Sequence, residues 1–209
     1  MKINENKINE LIQKYELETG SELTVVVTDK SDPYPAATLR GSLFTSLLTT
    51  LLISSYFHFT FEIGLLFILI FISFFHLVIK RTNLDYFFVT QVEKDRESLE
   101  KAKELFLEKA ILKTQHRLNS FIFMSIFERK IYILVDQNLK QKVSDSELKE
   151  IINSCPSILN ETDKTLALEH VVTSLHNLML KKNGGKILTT LPLVLENKVL
   201  ILNSKASTL

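Results

Sequence analysis

Apolar residues along this chain fall into three patterns, and the longest of them organises the rest. Leu43 to Phe57 and Ile63 to Ile79 are two apolar runs joined by His58-Phe59-Thr60-Phe61-Glu62, and Glu62 is the sole Asp, Glu, Lys or Arg between Arg40 and Lys80. Roughly 20 mostly apolar residues cross the hydrocarbon layer as a helix. The second run nearly reaches that length alone, and the first does if its helix begins within Pro35 to Leu39. Neither run has the polar face that a soluble surface helix needs. Two buried core helices of this kind would require far more surrounding protein than 209 residues offer. The pattern predicts a transmembrane helical hairpin over 39–81, with spans at about 39–57 and 63–80.

The second pattern has helical spacing. Ile8, Leu11, Ile12 and Tyr15 predict a short amphipathic helix ending near Thr19-Gly20. Beyond the hairpin, Leu84 to Thr90 reads as an amphipathic link. Ser98 is placed to cap a helix carrying Leu99, Ala102, Leu105, Phe106, Ala110 and Leu112. Ser144-Asp145-Ser146-Glu147 has capping-box spacing and opens a helix with Leu148, Ile151 and Ile152 on one face, stopped by Cys155-Pro156. A further helix runs from about Asp163 to Lys182, with Leu168, Val171, Val172, Leu175 and Met179 inward and Asn183-Gly184-Gly185 ending it.

The third pattern is that of strands. Leu23 to Thr28 is β-branched and apolar on both faces, as an interior strand is. Ser120 to Ile126 and Lys130 to Val135 are separated only by Phe127-Glu128-Arg129, so they should pair as an antiparallel hairpin. Leu191, Leu193 and Leu195, then Val199 and Ile201, alternate as one or two weak strands. The first strand precedes the membrane hairpin, yet both its faces need partners. An antiparallel helical hairpin brings its ends together and can be inserted at a domain edge. The expected fold class is therefore α/β, a small mixed sheet flanked by helices and interrupted by a transmembrane α-helical hairpin. Residues 1–38 supply its first helix and strand, 39–81 the hairpin, 82–192 the remainder of the soluble domain and 193–209 a tail.

Composition alters this picture in two respects. Twenty-five basic against 24 acidic residues give a net charge of +1, which exerts no general pull on nucleic acid. Lys30, Arg40, Lys80 and Arg81 flank the spans, whereas the loop between them holds only His58 and Glu62. The positive-inside rule then puts both hairpin ends and both termini in the cytoplasm. The single Cys155 has no intramolecular disulfide partner, in keeping with a reducing compartment. Residues 1–20 are polar and charged, unlike a signal peptide, so the hairpin itself should direct insertion.

Two phrases in this order resemble the TPM-domain family, in its bacterial membrane-protein branch. The first is Glu18-Thr19-Gly20-Ser21-Glu22 leading into Leu23 to Val27, followed by Ser31-Asp32-Pro33-Tyr34; the second runs from Phe106 through Thr114 and Arg117 to Phe121 to Lys130, with Asp136 after the third strand. The resemblance implies an α/β sandwich of helices on a short sheet in the inner (cytoplasmic) membrane. It also implies, for some relatives, phosphatase or metal-binding activity that depends on acidic side chains near strand edges. Where that branch has a glycine opening the second strand, this chain has Leu118-Asn119-Ser120.

A hard cation such as Ca²⁺ or Mg²⁺ needs several oxygen ligands on one rigid edge. Asp29, Asp32 and Asp136 each stand just past a predicted strand and form the candidate metal set; as turn caps they would serve structure instead. Glu128-Arg129 reads as ordinary turn charge, and Ser125 lies in a strand without a nucleophile elbow. His58, His76, His116, His170 and His176 lack metal-ligand spacing, and Cys155 reads as a small buried filler. No complete catalytic set can be named from these residues. The favoured reading is a membrane-anchored, cytoplasm-facing module without catalysis of its own. It would serve a membrane assembly through a membrane or cytoplasmic protein partner, with the lipid bilayer as its other contact. The alternatives are a divalent-metal-dependent phosphatase-like hydrolase, and a small subunit of a transporter or envelope complex.

Overall fold

Ile8, Ile12 and Tyr15 are buried on one side of the first helix, α1 (Glu5–Thr19). Asn4 caps it, and Gly20 ends it at φ 67°, a left-handed conformation that costs glycine nothing. The computed structural model describes residues 3–82, 84–111, 119–155, 164–182 and 199–202. Beyond α1 come β1 (Glu22–Thr28), the two long helices α2 (Pro35–Phe57) and α3 (Phe61–Thr82), and α4 (Gln91–Leu105). Then follow β2 (Asn119–Ser125), β3 (Lys130–Val135), the single turn α5 (Gln137–Lys140), α6 (Asp145–Asn153), α7 (Lys164–Lys182) and β4 (Val199–Leu202). The chain divides into two compact units: residues 1–31 with 97–209, and residues 32–96.

The first unit is built on a four-stranded sheet in the order β3-β2-β1-β4. β1 runs parallel to both β2 and β4, and β2 pairs antiparallel with β3, so the sheet is mixed. The interior place of β1 explains its composition. Leu23, Val25 and Val27 enter one core with Ile122, Met124, Ile131 and Ile133, beneath α1, α6 and α7. Val26 enters the other with Phe121, Phe123, Ala102 and Leu105, where α4 covers the opposite face. A strand buried on both sides must be apolar on both. The segment before the insertion thus completes the sheet made by the segments after it, as the sequence led us to expect.

Several local expectations hold, and one needs correction. Ser144 and Glu147 form the full capping box at the start of α6. Residues 120–125 and 130–135 pair as the expected hairpin, one residue shorter at Ile126 than the sequence suggested, and β4 covers Val199 and Ile201. Ser98, however, does not begin a helix. α4 starts seven residues earlier, where Thr90 Oγ1 accepts from the Glu93 amide at 3.3 Å and Glu93 Oε2 accepts from the Thr90 amide at 3.0 Å. Ser98 is buried within α4 and shares a 2.9 Å hydrogen bond with the Tyr132 hydroxyl. A Thr-x-x-Glu box outcompetes a lone serine because it satisfies two end amides at once. Gly184-Gly185 and the 191–195 alternation lie outside the described residues.

Glu147 does double duty, pairing with Lys182 at 2.8 Å and so joining the start of α6 to the end of α7. The Lys182 ammonium, then the Ser144 backbone and hydroxyl, hold its carboxyl at about 2, against an ordinary 4.5. A carboxyl depressed in the folded state contributes stability above pH 4.5 that is lost as pH falls toward 2. The expected result is that the unfolding temperatures of wild type and Glu147→Gln differ at pH 6 and converge as the pH approaches 2, measured by thermal melts across that range.

The second unit is led by α2 and α3, which pack extensively against each other. Pro35 opens α2 at its first turn, and left-handed His58 closes it (φ 43°), its amide donating to Ser54 O. The buried side of α2 is a run of small residues, Thr38, Ser42, Ser46 and Thr50, with Ala37 and Gly41 alongside. A Cβ at Gly41 would stand 2.6 Å from the Phe88 ring and 3.1 Å from Ile79, so the close approach requires glycine here. α3 carries a row of aromatics at helical spacing, Phe67, Phe71 and Phe75, with ring centroids 5.8 and 6.2 Å apart. Small residues on one helix let a neighbouring backbone come close, the packing habit of helices in lipid.

Candidate functional site

Two of the three acidic candidates, Asp29 and Asp136, stand at opposite ends of β2. Asp29 follows β1, and its carbonyl accepts from the Phe127 amide just beyond the carboxyl end of β2. Asp136 follows β3, and its amide donates to Asn119 O at the amino end of β2. β1 is parallel to β2 and β3 antiparallel, so the two strand ends fall on opposite edges of the sheet. Seven residues of β2 separate them, about 20 Å at the usual rise of a strand. Sequence position past a strand end does not reveal which sheet edge that end occupies, hence the false grouping. Asp136 is buried and caps α5, with Oδ1 accepting from the Leu139 amide at 2.8 Å and Oδ2 from the Asn119 amide at 3.2 Å. Asp32 belongs to the second unit, where Oδ2 accepts from the Tyr34 amide at 2.6 Å in a tight turn. Among the described residues, no three His, Cys, Asp or Glu side chains group as a metal site.

Charged and polar groups gather at the carboxyl ends of β1 and β2. This edge is where open α/β sheets bind ligands. Glu128, which reads from the sequence as ordinary turn charge, is 3% exposed. Its Oε1 accepts from the Ser31 amide at 2.9 Å, and its Oε2 accepts a hydrogen bond from the Ser125 hydroxyl. Arg129 beside it takes φ 56° to close the turn without a glycine. Lys30 lies 4.7 Å above the Phe127 ring. Burial lowers the pKa of Lys164 at the start of α7, with Asp29 opposing the shift and Arg129 adding to it. Glu128 therefore ties the chain leaving β1 to the β2–β3 turn. Removing it leaves the Ser31 amide and the Ser125 hydroxyl without their acceptor, so Glu128→Ala should lose about 2–3 kcal/mol in denaturant unfolding. Glu128→Gln, which keeps one carbonyl acceptor, should lose less.

On the opposite edge the Tyr15 hydroxyl is fully buried and shares a 2.9 Å hydrogen bond with Ser120 Oγ. Burial pushes its pKa well above the ordinary tyrosine value, so it remains a neutral partner. His176 is likewise buried, edge-on to Tyr15 with its Nε2 3.0 Å from Glu18 Oε2. The two atoms are close, but that nitrogen makes no hydrogen bond of ordinary geometry. Cys155 is buried as a filler against the Ala167 carbonyl, and burial raises its thiol pKa, the reverse of an activated thiolate.

The second unit offers a different kind of surface. α2 and α3 are both long and apolar enough to cross a membrane. Only 6% of the most apolar stretch of α3 is buried inside the protein, against 33% for α2. Leu65, Leu66, Leu69, Ile70, Phe74 and Leu77 are all exposed. The hydroxyls within the hairpin are satisfied by their own helix: Ser42 donates to Leu39 O, Thr45 to Gly41 O, Ser46 to Leu43 O and Thr50 to Ser46 O, all at 2.8–2.9 Å. At the base of the hairpin Arg40 donates to both Glu93 oxygens, at 2.9 and 2.6 Å, and to Phe88 O at 2.9 Å. The Arg40 guanidinium, followed by the Thr90 amide, holds the Glu93 carboxyl at about 2. The sequence suggested Arg40 only as a flanking charge. Its partner 53 residues away carries no local signal.

No protein-family model matches the chain, and no curated protein sequence matches it. Among solved structures, it is similar to the NMR structure of BA42 protein from the psychrophilic bacteria Bizionia argentinensis sp. nov.. The TM-score is 0.54 at 12% sequence identity, over 94% of this chain and 91% of that one. At that identity the likeness concerns the fold: what the comparisons and the strand pairings establish together is a mixed α/β protein.

Proposed function

We propose that α2 and α3 cross a lipid bilayer and hold the α/β unit at its cytoplasmic face, as a non-catalytic module that engages a membrane or cytoplasmic protein partner. The observation that carries this reading is α3: twenty-two residues, uncharged from Ile63 to Ile79, with almost none of its apolar stretch covered by the protein. A core helix of a soluble protein is covered, and an amphipathic surface helix has one polar face. Self-satisfied hydroxyls suit hydrocarbon, where an unpaired polar group has no water to turn to. Lys80 and Arg81 at the end of α3, and Arg40 near the start of α2, favour placing both soluble segments in the cytoplasm. The resemblance to the membrane branch of the TPM-domain family agrees with an inner-membrane location.

The test is extraction of membranes at alkaline pH, paired with photo-crosslinking from exposed positions of the α/β unit. The reading expects the protein to stay with the lipid until detergent is added, and discrete cross-linked products from the α/β unit. Release by alkali alone would remove the membrane part of the proposal. Cross-links confined to the hairpin would make the spans, and not the module, the working part.

A further inference from the structure

Resting on the membrane reading, we infer that Lys80, Arg81, the short 3-10 helix Leu84–Phe88 and the first turn of α4 form an interfacial collar that binds the headgroup layer of an anionic bilayer. The 3-10 helix has two unlike sides. Asp85 is buried, and Phe88 turns inward to lie 6.5 Å from the Phe44 ring and against Gly41. Leu84, Tyr86 and Phe87 face out at 42%, 45% and 76% exposure, and Val92 on the next element is 76% exposed. Four outward apolar side chains in nine residues are unfavourable in water but suit the boundary between headgroups and acyl chains, where aromatic rings collect.

The charges complete the match. Lys80 and Arg81 are exposed and make no ion pair or hydrogen bond through their side chains among the described residues. Lys94 Nζ stands 4.5 Å above the Tyr86 ring, a cation held over an interfacial aromatic. The nearby carboxylates are engaged elsewhere: Glu93 holds Arg40, Asp85 is buried, and Asp95 accepts from Gln91 at 3.0 Å. The collar continues directly from α3, so its cations meet the bilayer at the level of lipid phosphates. Each such cation favours anionic over neutral lipid by about fivefold near a charged surface.

The chain has no tryptophan, so single reporters can be placed in the full-length protein. Phe87→Trp and Leu69→Trp would be reconstituted separately in vesicles of phosphatidylcholine and phosphatidylglycerol, with bromine on either lipid at shallow or deep acyl positions. The proposal expects Phe87→Trp to be quenched most by shallow bromine, and several-fold better by brominated phosphatidylglycerol than by brominated phosphatidylcholine. Adding Lys80→Gln and Arg81→Gln should shrink that preference. Leu69→Trp should be quenched most by deep bromine, with no dependence on headgroup. Quenching of Leu69→Trp with none of Phe87→Trp leaves the span standing and overturns the collar. Equal quenching of Phe87→Trp by both lipids overturns its anionic preference. If neither reporter is quenched, the membrane reading and the collar fall together.

Discussion

A double substitution of Leu69 and Ile70 by arginine is expected to shift the protein out of the alkali-resistant membrane fraction, whereas one arginine leaves most of it inserted. The stretch Ile63 to Ile79 holds fourteen Leu, Ile, Phe or Val residues. At about 0.3–0.6 kcal/mol each near the centre of a span, they favour insertion by roughly 4–8 kcal/mol at most. One central arginine costs about 2.5–3.5 kcal/mol on the same scale, and two about 5–7, besides the apolar contributions they replace. Both positions are exposed, at 63% and 61%, so neither substitution disturbs the packing of α3 against α2. Leu69→Ala/Ile70→Ala is the control and should remain in the membrane. If the double arginine variant stays alkali-resistant, lipid does not surround this face of α3.

The second large effect concerns the split sheet. β1 lies between β2 and β4 and supplies Leu23, Val25, Val26 and Val27, all fully buried. Expressing 97–209 alone leaves β2 and β4 without their common neighbour, and exposes the inner sides of α7 and β2. Each lost Val or Leu burial is worth about 1.5–3 kcal/mol, and four of them exceed the margin by which most small domains are stable. The fragment is therefore expected to lack a cooperative unfolding transition by circular dichroism. Joining 1–31 to 97–209 through a flexible linker in place of 32–96 should restore one in the absence of detergent. Cooperative folding of the fragment alone would show that β1 is dispensable to the sheet.

Much of this architecture is legible in local chemistry. The interior place of β1 follows from the two-sided apolarity of its sequence, and the β2–β3 hairpin from the short connection between two apolar runs. Ser144 and Glu147 declare the start of α6. What escapes the sequence is non-local or competitive. Thr90-x-x-Glu93 is a visible box, yet the apolar stripe after Ser98 draws the reading to the wrong start. Glu128 has the composition of a turn charge, and only the fold shows that Ser31, 97 residues away, encloses it. Asp29 and Asp136 share a position relative to strands but not an edge of the sheet, since strand direction is a property of pairing. The exposed faces of Tyr86 and Phe87 are likewise invisible until the 3-10 helix fixes which way each ring points.

Two passes through the bilayer, with both soluble segments on one side, make a direct prediction for labelling. In a Cys155→Ser background, single cysteines at Glu10, Thr60 and Lys181 would be treated with a membrane-impermeant maleimide in intact cells and again after lysis. All three positions are exposed, so burial does not mask labelling. The account predicts that Thr60→Cys alone is labelled in intact cells, and that Glu10→Cys and Lys181→Cys react only once the membrane is opened. Protection of all three until lysis would contradict the crossing, and labelling of Glu10→Cys and Lys181→Cys but not Thr60→Cys would keep the crossing and reverse its direction.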